Sequence, residues 1–316
     1  MDDGLPEVSV LVVSWQTRVA LSACLRALGA QRGVLLRAVV VDNASQDGSA
    51  DMVRQEFPDV VLLEQSQNLG YTRATNLGLA RCPGRYVLLC NPDCRPEPET
   101  ASVLVKFLEN NQQAAAAAPR LYGDDGALQD FCYRFPGLLI AAACFTTAGY
   151  RIDHLLGGRA RRWHARADLR RETRPALVDH ASAACLMVRR ELLGDGLEPT
   201  MPLFFSDLEL SYRLRRGGWL MYYLPAATAH HSQGAALRAL TADQTRHELR
   251  RGLLRFYEMH RPRSRWLLVV MLAIDALMRA TFRRLSTGRT LEVRAEMNSL
   301  RVAIRNLPMG AVPWVE

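Results

Sequence analysis

The chain has 316 residues, 49% of them hydrophobic and 23% charged, enough to bury a full core and outside the range of disordered or collagen-like chains. Its net charge is +8, and its seven cysteines form no CxxC pair, which argues against a disulfide framework and for reduced core thiols. The longest apolar run, residues 266–274, falls short of the ~20 residues that a spanning helix requires. The start Met1-Asp2-Asp3-Gly4 offers no basic signal region, so a cytoplasmic protein is expected.

Residues 8–14 are an unbroken apolar run suited to a buried parallel strand, and residues 17–30 place Val19, Leu21, Cys24, Leu25 and Leu28 at near-helical spacing. Residues 35–41 repeat the strand pattern and end in Asp42. A helix near Ser49, a strand at 60–63, a helix at 73–80 and a strand at 86–90 follow, the last running into Asn91-Pro92-Asp93. Strand and helix in short repeated units predict a doubly wound, mostly parallel sheet flanked by helices. Residues 114–128 read as a strand and a turn at Gly123-Asp124-Asp125-Gly126. Residues 132–177 read as a mobile or acceptor-side insertion. Strand character returns at 178–188, a helix is expected at 207–216 and a short strand at 219–224, ended by Pro225. From about Gly234 the pattern is helical, over 241–260, 264–284 and 291–306.

The charge is unevenly placed. Residues 151–174 hold eight Arg against three acids, and residues 261–316 hold ten Arg against four. Neither cluster contains a recognisable nucleic-acid-binding motif, so nucleic acid is not an expected partner, although an Arg-rich binding protein is the rival from another class. In the second segment, the run at 266–274 lies between Arg261, Arg263 and Arg265 and Arg279, Arg283 and Arg284. That arrangement suits an interfacial helix on an anionic leaflet; a core helix or a homodimer contact would read the same way.

Doubly wound sheets bind ligands beyond the carboxyl ends of their strands, and polar residues cluster there. Asp42, in Asp42-Asn43-Ala44-Ser45, is placed to accept hydrogen bonds from a base or ribose, unless the segment is only a capped turn. In Asn91-Pro92-Asp93 the proline fixes the chain direction, and one carboxylate can hold a divalent ion that bridges diphosphate oxygens. An imidazole of His230-His231 would complete such a site. Asp207 and Glu209, two apart at a helix start, do not share a helix face, so one carboxylate can serve as a base while the other meets an acceptor hydroxyl or an Arg. Favourable charge at a helix N-terminus accounts for both as well.

In order and combination these segments resemble the family 2 glycosyltransferases, inverting enzymes of the GT-A type, and among them the bacterial rhamnosyltransferase-like group. The carriers are residues 8–14, the stretch Val39-Val-Val-Asp-Asn-Ala-Ser45 with Asp47-Gly-Ser49, and Asn68-Leu-Gly-Tyr71 with Asn76-Leu-Gly78. They continue with Leu88-Leu-Cys-Asn-Pro-Asp93, Cys185-Leu-Met-Val-Arg-Arg190, and Phe204-Phe-Ser-Asp-Leu-Glu-Leu210 with Arg213. The resemblance implies a GT-A catalytic domain over 1–235 and a helical C-terminal region over 236–316. It implies that Asp42 binds the base, that Asn68, Gly70 and Asn76 shape the nucleotide-sugar pocket with Asn91 and Asp179, and that Asp93 and His231 hold Mg²⁺ or Mn²⁺. Asp207 stands at the catalytic base, with Glu209 and Arg213 on the acceptor side. Ser206 replaces the Glu of the family's Glu-Asp pair, and Ala183 stands where Gly is common.

The function so implied is transfer of a sugar, rhamnose from dTDP-rhamnose first, to a hydroxyl of a polyprenyl-diphosphate-linked saccharide in cell-surface polysaccharide synthesis, at the inner face of the cell membrane. The alternatives are another donor (GlcNAc, galactose or galactofuranose), a soluble acceptor, or a non-catalytic sugar-binding homologue. A nucleotidyltransferase is disfavoured, because Ser14-Trp15-Gln16-Thr17-Arg18 is not the Gly-rich basic loop that class carries after its first strand.

Overall fold

In the computed structural model, residues 5–201, 203–232 and 241–287 are described. The elements run β1 (Glu7–Ser14), α1 (Arg18–Gly29), β2 (Leu35–Asp42), α2 (Ser49–Glu56), β3 (Val61–Glu64), α3 (Tyr71–Leu79), β4 (Tyr86–Cys90), β5 (Cys94–Pro96), α4 (Thr100–Asn110), β6 (Ala114–Tyr122) and β7 (Cys132–Tyr133). After these come α5 (Leu138–Phe145), α6 (Thr147–Leu155), α7 (Arg159–His164), a 3-10 helix (Ala167–Arg171), β8 (Ala176–Val178), β9 (His180–Ala181), β10 (Cys185–Arg189), α8 (Arg190–Leu193), α9 (Ser206–Arg216), β11 (Leu220–His231), α10 (Ala242–His260) and α11 (Pro262–Thr287). They divide into two compact units. One comprises residues 1–134, 166–199 and 207–240, the other residues 135–165, 200–206 and those from Thr241 onward.

The first unit is a mixed α/β layer structure whose main sheet is ordered β3-β2-β1-β4-β10-β6-β11-β5, with β8 beside β11. Strands β3, β2, β1 and β4 are parallel, β10 runs against both β4 and β6, and β11 is parallel to β6. The mostly parallel direction explains why the strands read as continuous apolar runs: Val8, Val10, Val12, Val39, Val40, Val41, Leu88 and Leu89 are all buried. Helix α3 lies against β1 through Gly78, where a Cβ would stand 2.2 Å from Leu11 Cδ1. Only bare backbone permits that approach.

Two residues of the Cys185–Arg189 strand and its extension explain a motif that the sequence left unassigned. The Arg189 guanidinium, buried under the sheet, donates to Leu108 O (2.6 Å) and Ala114 O (2.8 Å), while Arg190 donates to Cys82 O and Leu79 O. Each arginine thereby satisfies carbonyls at or just past a helix C-terminus, that of α4 and that of α3, where a cation is also favoured electrostatically. All seven cysteines are free and six are buried.

The second unit is helical. α10 starts with a capping box in which Thr241 and Gln244 satisfy each other's backbone N–H groups. Its centre is ionic: Arg250 meets Asp275 of α11 at 2.6 Å with both side chains 3% exposed, Arg279 lies 3.3 Å from the same carboxylate, and Thr147 N donates to it at the start of α6. Removing Asp275 strands buried positive charge. Asp275→Ala is therefore expected to cost about 3–5 kcal/mol, read as a lowered melting temperature, and an unchanged melt would show that the arginines find other partners.

The sequence and the structure differ in three places. Residues 94–110, unassigned from the pattern, form β5 and α4, although Ala101, Leu104, Val105 and Leu108 follow a helical i, i+3, i+4, i+7 spacing. The stretch 132–177, expected as a mobile or acceptor-side insertion, holds three helices and a 3-10 turn between β7 and β8, and residues 135–165 group with the C-terminal helices, so the helical unit is not confined to 236–316. Finally, β11 does not stop at Pro225. Its pairing with β6 jumps from Leu224↔Pro119 to Thr228↔Arg120, so Pro225, Ala226 and Ala227 bulge out where a missing N–H is tolerated, and the strand resumes to His231. The helix expected at 291–306 lies outside the described residues.

Candidate active site

The sheet directions carry the candidate residues to one edge. β1, β2 and β4 end there in Ser14, Asp42 and Cys90; β10, running oppositely, begins there at Cys185; and β11, aligned with β6, ends there in His231.

At the first two strand ends the loops tie each other. Gln16 N donates to Ser45 Oγ (3.0 Å), Gln46 N to Gln16 Oε1 (3.2 Å) and Arg18 N to Asp47 Oδ2 (2.8 Å). Gln16 and Ala44 both take positive φ, 53° and 66°, a backbone strain that proteins tend to keep at functional loops. Asp42 is buried, and Oδ2 accepts from Ser45 N (3.0 Å) while Oδ1 has no hydrogen-bond partner among the described residues. A buried acceptor without a donor is costly, which suits a carboxylate that awaits an N–H or hydroxyl from a ligand. Asn43, which the sequence reading passed over, organises the neighbouring loop. Its Nδ2 donates to Asn68 Oδ1, its Oδ1 accepts from Leu69 N, and Gly70 N also donates to Asn68 Oδ1, each at 2.8 Å. Gly70 closes the turn at φ 77°, ψ 162°, a region open to glycine.

Asn76 is used differently from its place in the nucleotide-pocket expectation. Its Nδ2 donates to Leu197 O and its Oδ1 accepts from Leu197 N, both at 2.7 Å, so the side chain holds the segment after α8. Glu209 is likewise buried, at 2% exposure, and faces Arg213 at 3.5 Å, while Arg213 donates to Gly196 O. Burial, partly offset by Arg213 and reinforced by Glu198, pushes the Glu209 carboxyl above its ordinary range. That pair locks the same segment, and the expectation that both residues meet an acceptor has no support in this geometry. Asp179 is half-buried at the bend between β8 and β9.

His231 and Asp93 converge from β11 and the β4–β5 turn, with Nε2 3.3 Å from Asp93 Oδ1 and 3.5 Å from Asn91 Nδ2. Strand pairing forces this meeting, because His231 sits opposite Cys94 in β5. Gln129 sets the ring: its Nε2 donates to His231 O (2.7 Å), which turns Oε1 toward Nδ1 at 3.1 Å. In the neutral ring Nδ1 then carries the proton and Nε2 keeps its lone pair. Burial works against a charged imidazole, but contact with Asp93 outweighs it and holds His231 above its ordinary value. Two acceptors facing each other at 3.3 Å need a proton or a cation between them, so this oxygen–nitrogen pair fits a divalent ion. Among the described residues no group of three or more His, Cys, Asp or Glu is arranged to hold a metal. An ion here would take its remaining ligands from diphosphate oxygens and water.

Asp207 opens α9. Oδ1 accepts from Leu208 N (2.8 Å) and Oδ2 from Ala183 N (3.2 Å), and His180 Nε2 lies 3.4 Å from Oδ1. Burial opposes its charge, yet His180 and the two backbone donors hold the carboxyl below the usual range. The side chain retains 22% exposure, so an ionised oxygen remains reachable at the edge.

The mixed, mostly parallel sheet that gathers these residues at the carboxyl ends of its strands has the GT-A architecture. The model of the family described as "Glycosyl transferase family 2" matches residues 9–197, and the chain belongs to that family. It is 25% identical over 254 residues to an N-acetylglucosaminyl-diphospho-decaprenol L-rhamnosyltransferase of Mycobacterium tuberculosis, covering 73% of this chain and 76% of the relative. Among solved structures, the mannosyltransferase PcManGT from Pyrobaculum calidifontis in complex with GDP-Man and Mn²⁺ superposes with a TM-score of 0.53 at 16% identity, over 96% of this chain and 88% of that one. GalNAc-T7 with UDP, GalNAc and Mn²⁺ gives 0.51 at 15% identity over 73% of this chain, which spans 44% of its length. At these identities the two structures attest the fold.

Proposed function

We propose that the chain is an inverting, metal-dependent transferase that moves rhamnose from dTDP-rhamnose to a hydroxyl of a polyprenyl-diphosphate-linked saccharide. The observation that carries this reading is the convergence of Asp42, the Asp93–His231 pair and Asp207 on one edge of the sheet. The lipid-linked acceptor and the rhamnosyl donor are supported by the name of the mycobacterial relative. Asp42 receives the base or ribose through its open oxygen, and the Asn43–Asn68–Gly70 loop shapes the pocket beside it. Asp93 and His231 would hold Mg²⁺ or Mn²⁺, which would supply positive charge to the diphosphate leaving group. Asp207, ionised and aimed from the start of α9, takes the proton of the acceptor hydroxyl as that oxygen attacks the anomeric carbon. Inversion needs one such base and no covalent enzyme intermediate.

A thermal-shift series with nucleotide sugars tests the donor site directly, since a ligand that binds only the folded state raises its stability by mass action. dTDP-rhamnose with Mn²⁺ is expected to raise the melting temperature most. A chain indifferent to every nucleotide sugar, with or without Mn²⁺, would sink the reading.

The acceptor's lipid also makes sense of α11. Among the described residues no helix is long and apolar enough to cross a membrane. Trp266, Val270, Ile274, Leu277, Met278 and Phe282 are nonetheless exposed, Trp266 and Phe282 by 62% and 63%, at spacings of three and four that place them on one face. Arg263 and Arg265 lie just before that stripe. Peripheral binding to an anionic leaflet follows, with ~1 kcal/mol per basic residue near the surface and a further gain from the buried apolar side chains. On anionic vesicles at low salt the full-length chain is expected to float, and Trp266→Ser with Ile274→Ser to lower the floated fraction severalfold. If both versions stay in the soluble fraction and the native one alone is dimeric by light scattering, the stripe is a dimer contact instead.

A further inference from the structure

His180 is a histidine that the sequence pattern did not single out. β9 pairs with β7 so that His180 stands opposite Tyr133, and the two rings stack with centroids 5.6 Å apart at 26°. The imidazole is 9% exposed, and among the described residues neither ring nitrogen makes an aligned hydrogen bond. Its closest charged neighbour is Asp207, 3.4 Å from Nε2. We propose that His180 is the positioning residue of Asp207, clamped by Tyr133 so that its imidazole keeps the carboxylate ionised and fixes Oδ1, leaving a lone pair of Oδ2 to meet the acceptor hydroxyl.

The proposal rests on the reading of Asp207 as the base and adds the group that keeps it one. Among the described residues Oδ1 accepts from Leu208 N–H and lies 3.4 Å from His180 Nε2, whereas Oδ2 receives Ala183 N–H. Of the titratable groups beside this carboxylate, His180 faces it from β9 and Tyr71 from the start of α3, where burial and Asp207 itself push the phenol upward. Tyr133 faces the imidazole from β7, and the acids and bases further along α9 are Glu209 and Arg213, which face each other at 3.5 Å, with Arg215 and Arg216 in its last turn. His180 is therefore the imidazole within reach of Oδ1. An imidazolium or a neutral N–H toward Oδ1 favours the carboxylate over the acid, so losing it lets Asp207 hold its proton to higher pH.

The test is a titration of aspartate ¹³Cγ signals in the full-length protein, with Asp207 assigned by its absence in Asp207→Asn. In His180→Phe, which keeps an aromatic ring against Tyr133, Asp207 is expected to titrate at higher pH than in the native chain. Transfer from dTDP-rhamnose should fall roughly ten- to a hundredfold below neutral pH, the scale of one hydrogen bond to a charged group, with KM for the donor unchanged. His180→Gln keeps a neutral N–H donor but cannot charge, so it should recover part of the turnover lost below neutral pH, with Asp207 titrating between its native position and that in the Phe variant. Should the Phe variant not fold, the Gln variant decides alone. A native Asp207 titration in whichever variant folds overturns the proposal. Normal turnover by Asp207→Asn would instead refute the base, and the titration would still report whether His180 governs that carboxylate.

Discussion

Asp207→Asn is expected to keep nucleotide-sugar binding and to lose transfer by ~10² to 10⁴, the scale of removing a general base. The amide preserves the shape of the side chain. Its oxygen can still receive Leu208 N–H (2.8 Å in the native chain), so the start of α9 should stay in place. What is lost is the capacity to accept a proton. The expected pattern is a fall in kcat with little change in KM for the donor, measured as release of nucleoside diphosphate in the presence of the lipid-linked acceptor. A variant that turns over at a near-native rate would move the base elsewhere. Glu209 would then be a poor substitute, because it is buried and committed to Arg213.

The second large effect belongs to Asp93→Ala. It leaves His231 with its Nε2 lone pair and Gln129 behind it, but removes the anionic oxygen 3.3 Å away. Stabilisation of the protein by a nucleotide sugar should then no longer depend on Mn²⁺, and transfer should drop to background. The fold itself should remain, since the turn is also held by backbone bonds, from Ser232 N to Asp93 O (3.0 Å) and from Cys94 N to Asn91 O (3.1 Å). Unchanged metal dependence in a folded variant would show that the divalent ion sits elsewhere.

Much of the fold was legible because each central strand is buried on both faces. Residues such as Val39, Val40 and Val41 leave no alternation to misread, and Asp42 and Asp93 announce the strand ends by the change from apolar to polar. The alternating pattern could not reveal what lies beyond Pro225, since a proline ordinarily ends a central strand, and here a bulge lets the strand continue. It is that continuation which brings His231 to Asp93. The role of Asn76 was also beyond the sequence, and that of Glu209 was legible only as one of two options, an acceptor hydroxyl or an Arg: their settings, against Leu197 and the Arg213–Gly196 contact, depend on how the segment after α8 folds back. His180 was hidden for a similar reason, because its significance lies in two contacts, with Tyr133 and Asp207, that are 47 and 27 positions away.

The bulge in β11 has a bearing on how this family can drift. Successive side chains of a strand point to opposite sides: His231 faces Asp93, while its neighbour His230 lies against Tyr122, with ring centroids 5.8 Å apart, and approaches Glu97 at 3.4 Å. If one residue is added within Pro225, Ala226 and Ala227, the segment beyond shifts so that His230 takes the place of His231, and an imidazole still stands before the carboxylate; the loss of one residue would bring Ser232 there instead. The doublet thus makes the site tolerant of a one-residue gain in the bulge and not of a loss, so that a lengthening that would erase a lone ligand instead substitutes its neighbour.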